Sequence, residues 1–111
     1  MVPYLSEERA PRRLEVDAMP GRVLLEFGTA WCGHCQALTP HVERLLSIHP
    51  EVTHLRVEDG SGRALGRSYG VRLWPNLVFL RDGKLVKQLA RPSPEELAAG
   101  FEALARAAGP A

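Results

Sequence analysis

The 111-residue sequence is poor in the features that mark a special class of protein. It has only two cysteines, so no disulfide framework can staple it. It needs none, because a chain of this length buries roughly 60 to 70 per cent of its unfolded surface and can hold itself on one core. Lys and Arg number 14 against 13 Asp and Glu, a formal net charge of +1, and the basic residues are scattered apart from Arg12-Arg13. Such a surface concentrates no polyanion, which excludes nucleic acid as the main partner. No apolar run approaches the roughly 18 to 20 residues that span a bilayer, so no membrane segment is expected. The stretch Met1-Val2-Pro3-Tyr4-Leu5-Ser6-Glu7-Glu8-Arg9 shows neither a basic n-region nor an apolar h-region. The expected address is therefore a reducing cytoplasm, with the periplasm as the alternative for a chain trimmed from a longer precursor. At 45 % hydrophobic residues the remaining composition is that of one ordinary globular domain, expected to be monomeric.

Patterning places the elements. Pro3, Pro11 and Pro20 forbid a long helix in residues 1–20, which read as an N-terminal extension with a short strand or helical turn, packed on the sheet of a domain covering 21–108. Val23 to Phe27 is apolar and bounded by Gly21 and Gly28, as in a strand covered on both faces; its anomaly is Glu26. From Cys32 onward, Leu38, Val42, Leu45 and Leu46 recur at helical spacing until Pro50, and Pro40 inside that run predicts a break between the first turn and the body. Val52 to Val57 alternates as a strand, and a short helix over Ala64 to Tyr69 closes at Gly70. Asn76 to Arg81 and Leu85 to Leu89 flank Asp82-Gly83, a strong hairpin signal. Ser93-Pro94-Glu95-Glu96 opens a last helix whose buried stripe is Leu97, Phe101, Leu104 and Ala108, fraying into Gly109-Pro110-Ala111. This order predicts an α/β fold with a mixed sheet.

Both cysteines lie in Cys32-Gly33-His34-Cys35, after a strand and at the opening of a helix. The free N–H groups and dipole of a first helical turn stabilise an anion, so Cys32 is the expected nucleophile. Cys35, close by, can attack a mixed disulfide on Cys32 and release the reduced substrate. Gly33 permits the tight turn, and His34 favours the thiolate if it is protonated or donates a hydrogen bond. A zinc site is the weaker reading, since a second Cys pair is missing and His34, His41, His49 and His54 have no paired spacing. Two inert cysteines remain as the bland alternative. His41 and His49 read as solvated helix or turn residues. No metal or cofactor is expected. Glu26, six residues before Cys32, is costly to bury unless it is paired or protonated; a solvated edge-strand glutamate is the simpler alternative.

The segment Glu26-Phe27-Gly28-Thr29-Ala30-Trp31-Cys32-Gly33-His34-Cys35-Gln36-Ala37-Leu38-Thr39-Pro40 resembles the active-site segment of the thioredoxin superfamily, and its CGHC motif with the preceding Glu is similar to protein disulfide isomerase domains. Ser68 to Lys84, with Trp74-Pro75, resembles the family's second signature. The likeness covers about residues 22–106. It implies the thioredoxin fold, a single compact domain with a central mixed sheet flanked by helices, and a thiol–disulfide oxidoreductase of reductase or isomerase type. It also implies a cis Pro75 facing the cysteines, Trp74 as a docking edge whose bulk departs from the usual smaller residue, and Glu26 as proton relay to Cys35. Trp74 reads equally well as a surface aromatic packed on the helix. Trp31 then shields the pair and offers apolar surface to substrates. His54 stands where many relatives carry a lysine, and the reading as a plain core histidine is preferred. The implied partners are proteins with disulfides or thiols and a thioredoxin reductase or small-thiol donor. Potentials of about −270 mV for thioredoxin and about −180 mV for protein disulfide isomerase bracket the expectation. The rival from another class is a redox-sensitive binding module whose cysteine pair switches a partner contact with little catalysis.

Overall fold

Four strands build the sheet on which every functional group is mounted. In the computed structural model, which describes residues 2–109, the elements run α1 (Arg13–Asp17), β1 (Arg22–Gly28), α2 (Gly33–Ile48), β2 (Val52–Glu58), α3 (Ala64–Ser68), β3 (Asn76–Arg81), β4 (Lys84–Ala90) and α4 (Pro94–Arg106). The sheet order is β2-β1-β3-β4. β1 pairs parallel with β2 and antiparallel with β3, and β3 pairs antiparallel with β4, so the sheet is mixed. Among the described residues, no helix is long and apolar enough to cross a membrane.

The alternation of β1 sorts the core into two layers. Leu24 packs with Leu38, Val42 and Leu45 of α2 and with Leu97, Phe101 and Leu104 of α4. Val23, Leu25 and Phe27 face the other way, against Val16 of α1 and Leu65 of α3. Each fully buried Leu or Phe stabilises the fold by roughly 1.5 to 3 kcal/mol through its lost contact with water. Glu26 falls on the α2 face, flanked in register by Arg56 of β2 and Leu77 of β3.

Local chemistry fixes the ends. At the β3–β4 turn Asp82 (φ 52°) and Gly83 (φ 78°) both take positive φ, the twist a two-residue hairpin requires. A Cβ on Gly83 would also collide with the carbonyl oxygen of Asp17. Helix α4 carries the full capping box: the Ser93 hydroxyl accepts from the Glu96 N–H at 3.1 Å, and Glu96 Oε1 accepts from the Ser93 N–H at 2.9 Å. Two expectations are corrected. The helix is not broken at Pro40: α2 runs through it as one element, although Pro40 has no N–H to offer the Gln36 carbonyl. Ala108 is not part of the buried stripe, because α4 stops at Arg106 and Ala108 is exposed. Pro110 and Ala111 lie outside the described residues. Before α1, Leu5 forms a parallel bridge to Val57, extending the outer edge of β2 by one residue.

Candidate active site

Strand β1 delivers the cysteines. It ends at Gly28, and Thr29 to Trp31 carry the chain to Cys32, the extended N-cap residue of α2. The Cys32 sulfur occupies the position where Ser or Asp more often sits, and it accepts the Cys35 N–H at 3.2 Å. Both thiols are unbonded. Their surroundings differ in a way that divides the labour. Cys32 keeps 7 % of its surface in contact with solvent, whereas Cys35 keeps none. Burial, the largest cause, pushes the Cys35 thiol up to about 11, and its hydrogen bond with Cys32 adds to this; the Thr29 backbone and the Tyr4 hydroxyl oppose it. At neutral pH Cys35 therefore holds its proton, and a base is needed to take it.

The acid on β1 is sealed. Glu26 is 0 % exposed, which removes the reading as a solvated edge residue. Its Oε1 lies 2.9 Å from His54 Nε2 and 3.5 Å from Arg56 Nε. The Arg56 contact is an ion-pair distance without a hydrogen bond, and Glu26 Oε2 has no hydrogen-bond partner. His54 is thus no plain core histidine. It stands on β2 two residues before Arg56, so period-2 geometry aims both side chains at the face that holds Glu26.

The loop before β3 lies beside the first turns of α2. The Trp74–Pro75 peptide bond is cis, Pro75 is buried, and the groove beside it is lined by His34, Ala37, His41 and Arg91, with a volume of about 270 Å³. Trp31, 73 % exposed, meets Trp74 edge to face with ring centroids 5.7 Å apart, joining the cysteine loop to the proline loop. Trp74 is anchored rather than merely laid on the surface: its Nε1 donates to Asp59 Oδ2 at 2.9 Å. Gly33 and His34 are exposed in the first turn of α2. His49, expected to be solvated, instead stacks on Phe101 at 5.4 Å and approaches Glu51 Oε2 at 3.4 Å.

A dithiol at a helix start, with one cysteine partly exposed and the other fully buried, is equipped for two-electron exchange with disulfides. The family model for Thioredoxin matches residues 7–103. The chain belongs to the thioredoxin family. Its structure is similar to that of thioredoxin 2 from Pseudomonas aeruginosa in the reduced form, with a TM-score of 0.81, 53 % identity, and coverage of 93 % of this chain and 94 % of that one. A thioredoxin from Chlamydia trachomatis is 40 % identical over 68 residues, 61 % of this chain and 67 % of that protein. Protein disulfide-isomerase A2 from Pongo abelii is 36 % identical over 92 residues, which are 79 % of this chain but 18 % of the isomerase. The thioredoxin fold and the Cys32-Cys35 pair make this protein a thiol–disulfide oxidoreductase.

Four residues of this thioredoxin site escaped the sequence reading. Asp59 holds Trp74. Arg56 faces Glu26, a placement hidden until the β1–β2 register is known. Arg91 donates its Nε to the Trp74 carbonyl and its backbone N–H to the Pro75 carbonyl, each at 2.8 Å, and so braces the proline loop. Tyr4 comes from the proline-punctuated start of the chain, where nothing in the pattern marks it.

Proposed function

We propose that this thioredoxin-family protein reduces disulfides in protein substrates, with a disulfide that His34 of its CGHC motif makes more oxidising than one with proline at that place. Cys32 thiolate attacks a substrate disulfide; one substrate sulfur leaves and a Cys32–substrate mixed disulfide forms. Cys35 then gives its proton to Glu26 and attacks Cys32. The Cys32–Cys35 disulfide forms, the second substrate sulfur leaves as a thiolate, and the substrate has gained two electrons. A thioredoxin reductase or a small thiol restores the dithiol. Trp31, Trp74 and Pro75 form the docking edge, while Gly33 and His34 tune the pair.

The observation that carries this reading is the unequal burial of the two cysteines, 7 % against 0 % exposed, with the fully buried one needing a base. Reduction of cytoplasmic disulfides is the direction proposed. Insulin reduction by dithiothreitol tests it: the protein accelerates the reaction, and Cys32→Ser loses nearly all of the acceleration. A rate equal to the uncatalysed background would leave only a redox-sensitive binding module. Trapping with Cys35→Ser then separates the two services, since captured reductase marks a reductase and captured folding clients mark an isomerase.

A further inference from the structure

The resolving sulfur has a neighbour that belongs to no sequence motif. Tyr4 precedes Leu5, and Leu5 is locked onto the outer edge of β2, its N–H donating to the Arg56 carbonyl at 2.8 Å and its carbonyl accepting from the Glu58 N–H at 2.9 Å. Leu5 is bridged to Val57, which packs toward α1 and α3. By the alternation of extended chain, Tyr4 is directed to the opposite face, the one that carries Glu26 and Arg56.

Two contacts with Arg56 hold the phenol there. The Arg56 guanidinium carbon lies 3.9 Å from the centroid of the Tyr4 ring, and Arg56 Nη2 donates to Tyr4 Oη at 2.7 Å. Arg56 is itself fixed by the Val2 carbonyl at 3.2 Å and the Thr39 hydroxyl at 3.4 Å. The hydroxyl is also directed toward the dithiol. Gly28 leaves a gap in which a Cβ would lie 2.6 Å from Cys35 Sγ and 2.9 Å from Tyr4 Oη, so thiol and phenol converge on the space that this glycine vacates. With its lone pair taken by the guanidinium, the phenol has its own proton left to give. A groove of about 430 Å³, lined by Tyr4, Thr29, Gln36, Thr39 and Arg56 among others, opens beside this cluster.

We infer that Tyr4 is a further catalytic residue of the Cys35 step, its hydroxyl donating a hydrogen bond to the Cys35 sulfur as that sulfur takes on negative charge. The inference rests on the reading of Cys35 as the resolving cysteine given above. The bookkeeping of the step is unchanged: the Cys35 proton goes to Glu26, the Cys35–Cys32 bond forms, the Cys32–substrate bond breaks, and the electron pair leaves on the substrate sulfur. Tyr4 keeps its proton throughout. In the reverse direction, when a donor thiol attacks Cys32 of the oxidised protein, the same hydrogen bond stabilises Cys35 as leaving group. The direction of the phenol's own titration agrees: burial first, then the nearby negative charge of Glu26 and Cys35, hold it well above its ordinary value, so it is a donor and not a base. On Cys35 the phenol acts in the opposite sense to burial.

Tyr4→Phe removes the hydroxyl and keeps the ring under Arg56. Reaction of the reduced protein with Ellman's reagent, followed by stopped flow, resolves two releases of thionitrobenzoate: the first from attack by Cys32, the second from attack by Cys35. The variant is expected to leave the first unchanged and to slow the second about 10- to 100-fold, the scale of one lost hydrogen bond to a charged group. The pH profile of the second release is expected to move to higher pH. The titratable and charged groups around that sulfur are Cys32, Glu26 with its partner His54, Arg56 and Tyr4, and only the last is altered. A second release at the wild-type rate with an unmoved profile would overturn the inference. Wild-type protein without a fast first release would overturn the oxidoreductase reading itself, and with it the role of Tyr4.

Discussion

His54 Nε2 lies 2.9 Å from Glu26 Oε1, and neither side chain has more than a sliver of contact with water. A carboxylate in that position cannot be hydrated, so its neighbours must do what water would. His54 supplies a hydrogen bond and Arg56 supplies charge at 3.5 Å. His54→Ala leaves Oε1 without its hydrogen bond in a dry site. The expected loss is about 1 to 3 kcal/mol of unfolding free energy, read from urea denaturation of the reduced protein. A change within about 0.5 kcal/mol, as at an ordinary surface site, would show that the contact contributes nothing.

This pair also shows how far a sequence can be read. Glu26 was conspicuous because one carboxylate interrupts an apolar strand, and Cys32 and Cys35 because they are the sole cysteines at a strand–helix junction. Those signals are local. The pairing of Glu26 with His54 and Arg56 depends on the β1–β2 register, in which Leu24 faces His54 and Glu26 faces Arg56. A slip of one residue would turn both partners to the other face, and nothing local to either strand fixes that choice. Tyr4 is further out of reach: it arrives through a single bridge at Leu5, in a segment whose prolines speak only against helix. The hairpin and the last helix, by contrast, were legible because Asp82-Gly83 and Ser93-Pro94-Glu95-Glu96 encode their geometry in adjacent residues.

Replacing the acid tests the proton path. Glu26→Gln keeps the shape and a hydrogen-bonding group opposite His54 but cannot accept a proton. Resolution of a mixed disulfide on Cys32 is expected to slow about 10²-fold or more, the usual scale of general base catalysis, while alkylation of Cys32 in the reduced protein proceeds as before. Equal resolution rates in the two proteins would reject Glu26 as the acceptor.

His34 occupies the second residue of α2, one before Cys35. A proline there would delete one of the free N–H groups of the first turn of α2, whose positive end favours the Cys32 thiolate, along with the imidazole. His34→Pro is therefore expected to favour the disulfide over the dithiol. One lost hydrogen bond of about 1.4 kcal/mol corresponds to about 30 mV, so a glutathione titration should show a potential lower by roughly that amount. An equal or higher potential would remove His34 from the tuning of the pair.

Cys35 makes a claim about stability against pH. Its thiol is raised from 9.0 to about 11 in the folded protein, chiefly by burial. Below pH 9 the sulfur is protonated in both folded and unfolded chains, and it contributes no pH dependence. Between pH 9 and 11 the unfolded chain gives up the proton while the folded chain retains it. The folded state then binds more protons than the unfolded one, so stability falls as pH rises through this window. Cys35→Ala removes the titration and leaves Cys32, Tyr4 and the rest in place. The stability of the reduced wild type relative to this variant is expected to be constant below pH 9 and to shrink steadily toward pH 11, measured by urea denaturation at each pH. A difference that stays flat across the window would mean that the Cys35 sulfur is solvated in the folded protein, and the need for a buried base would go with it.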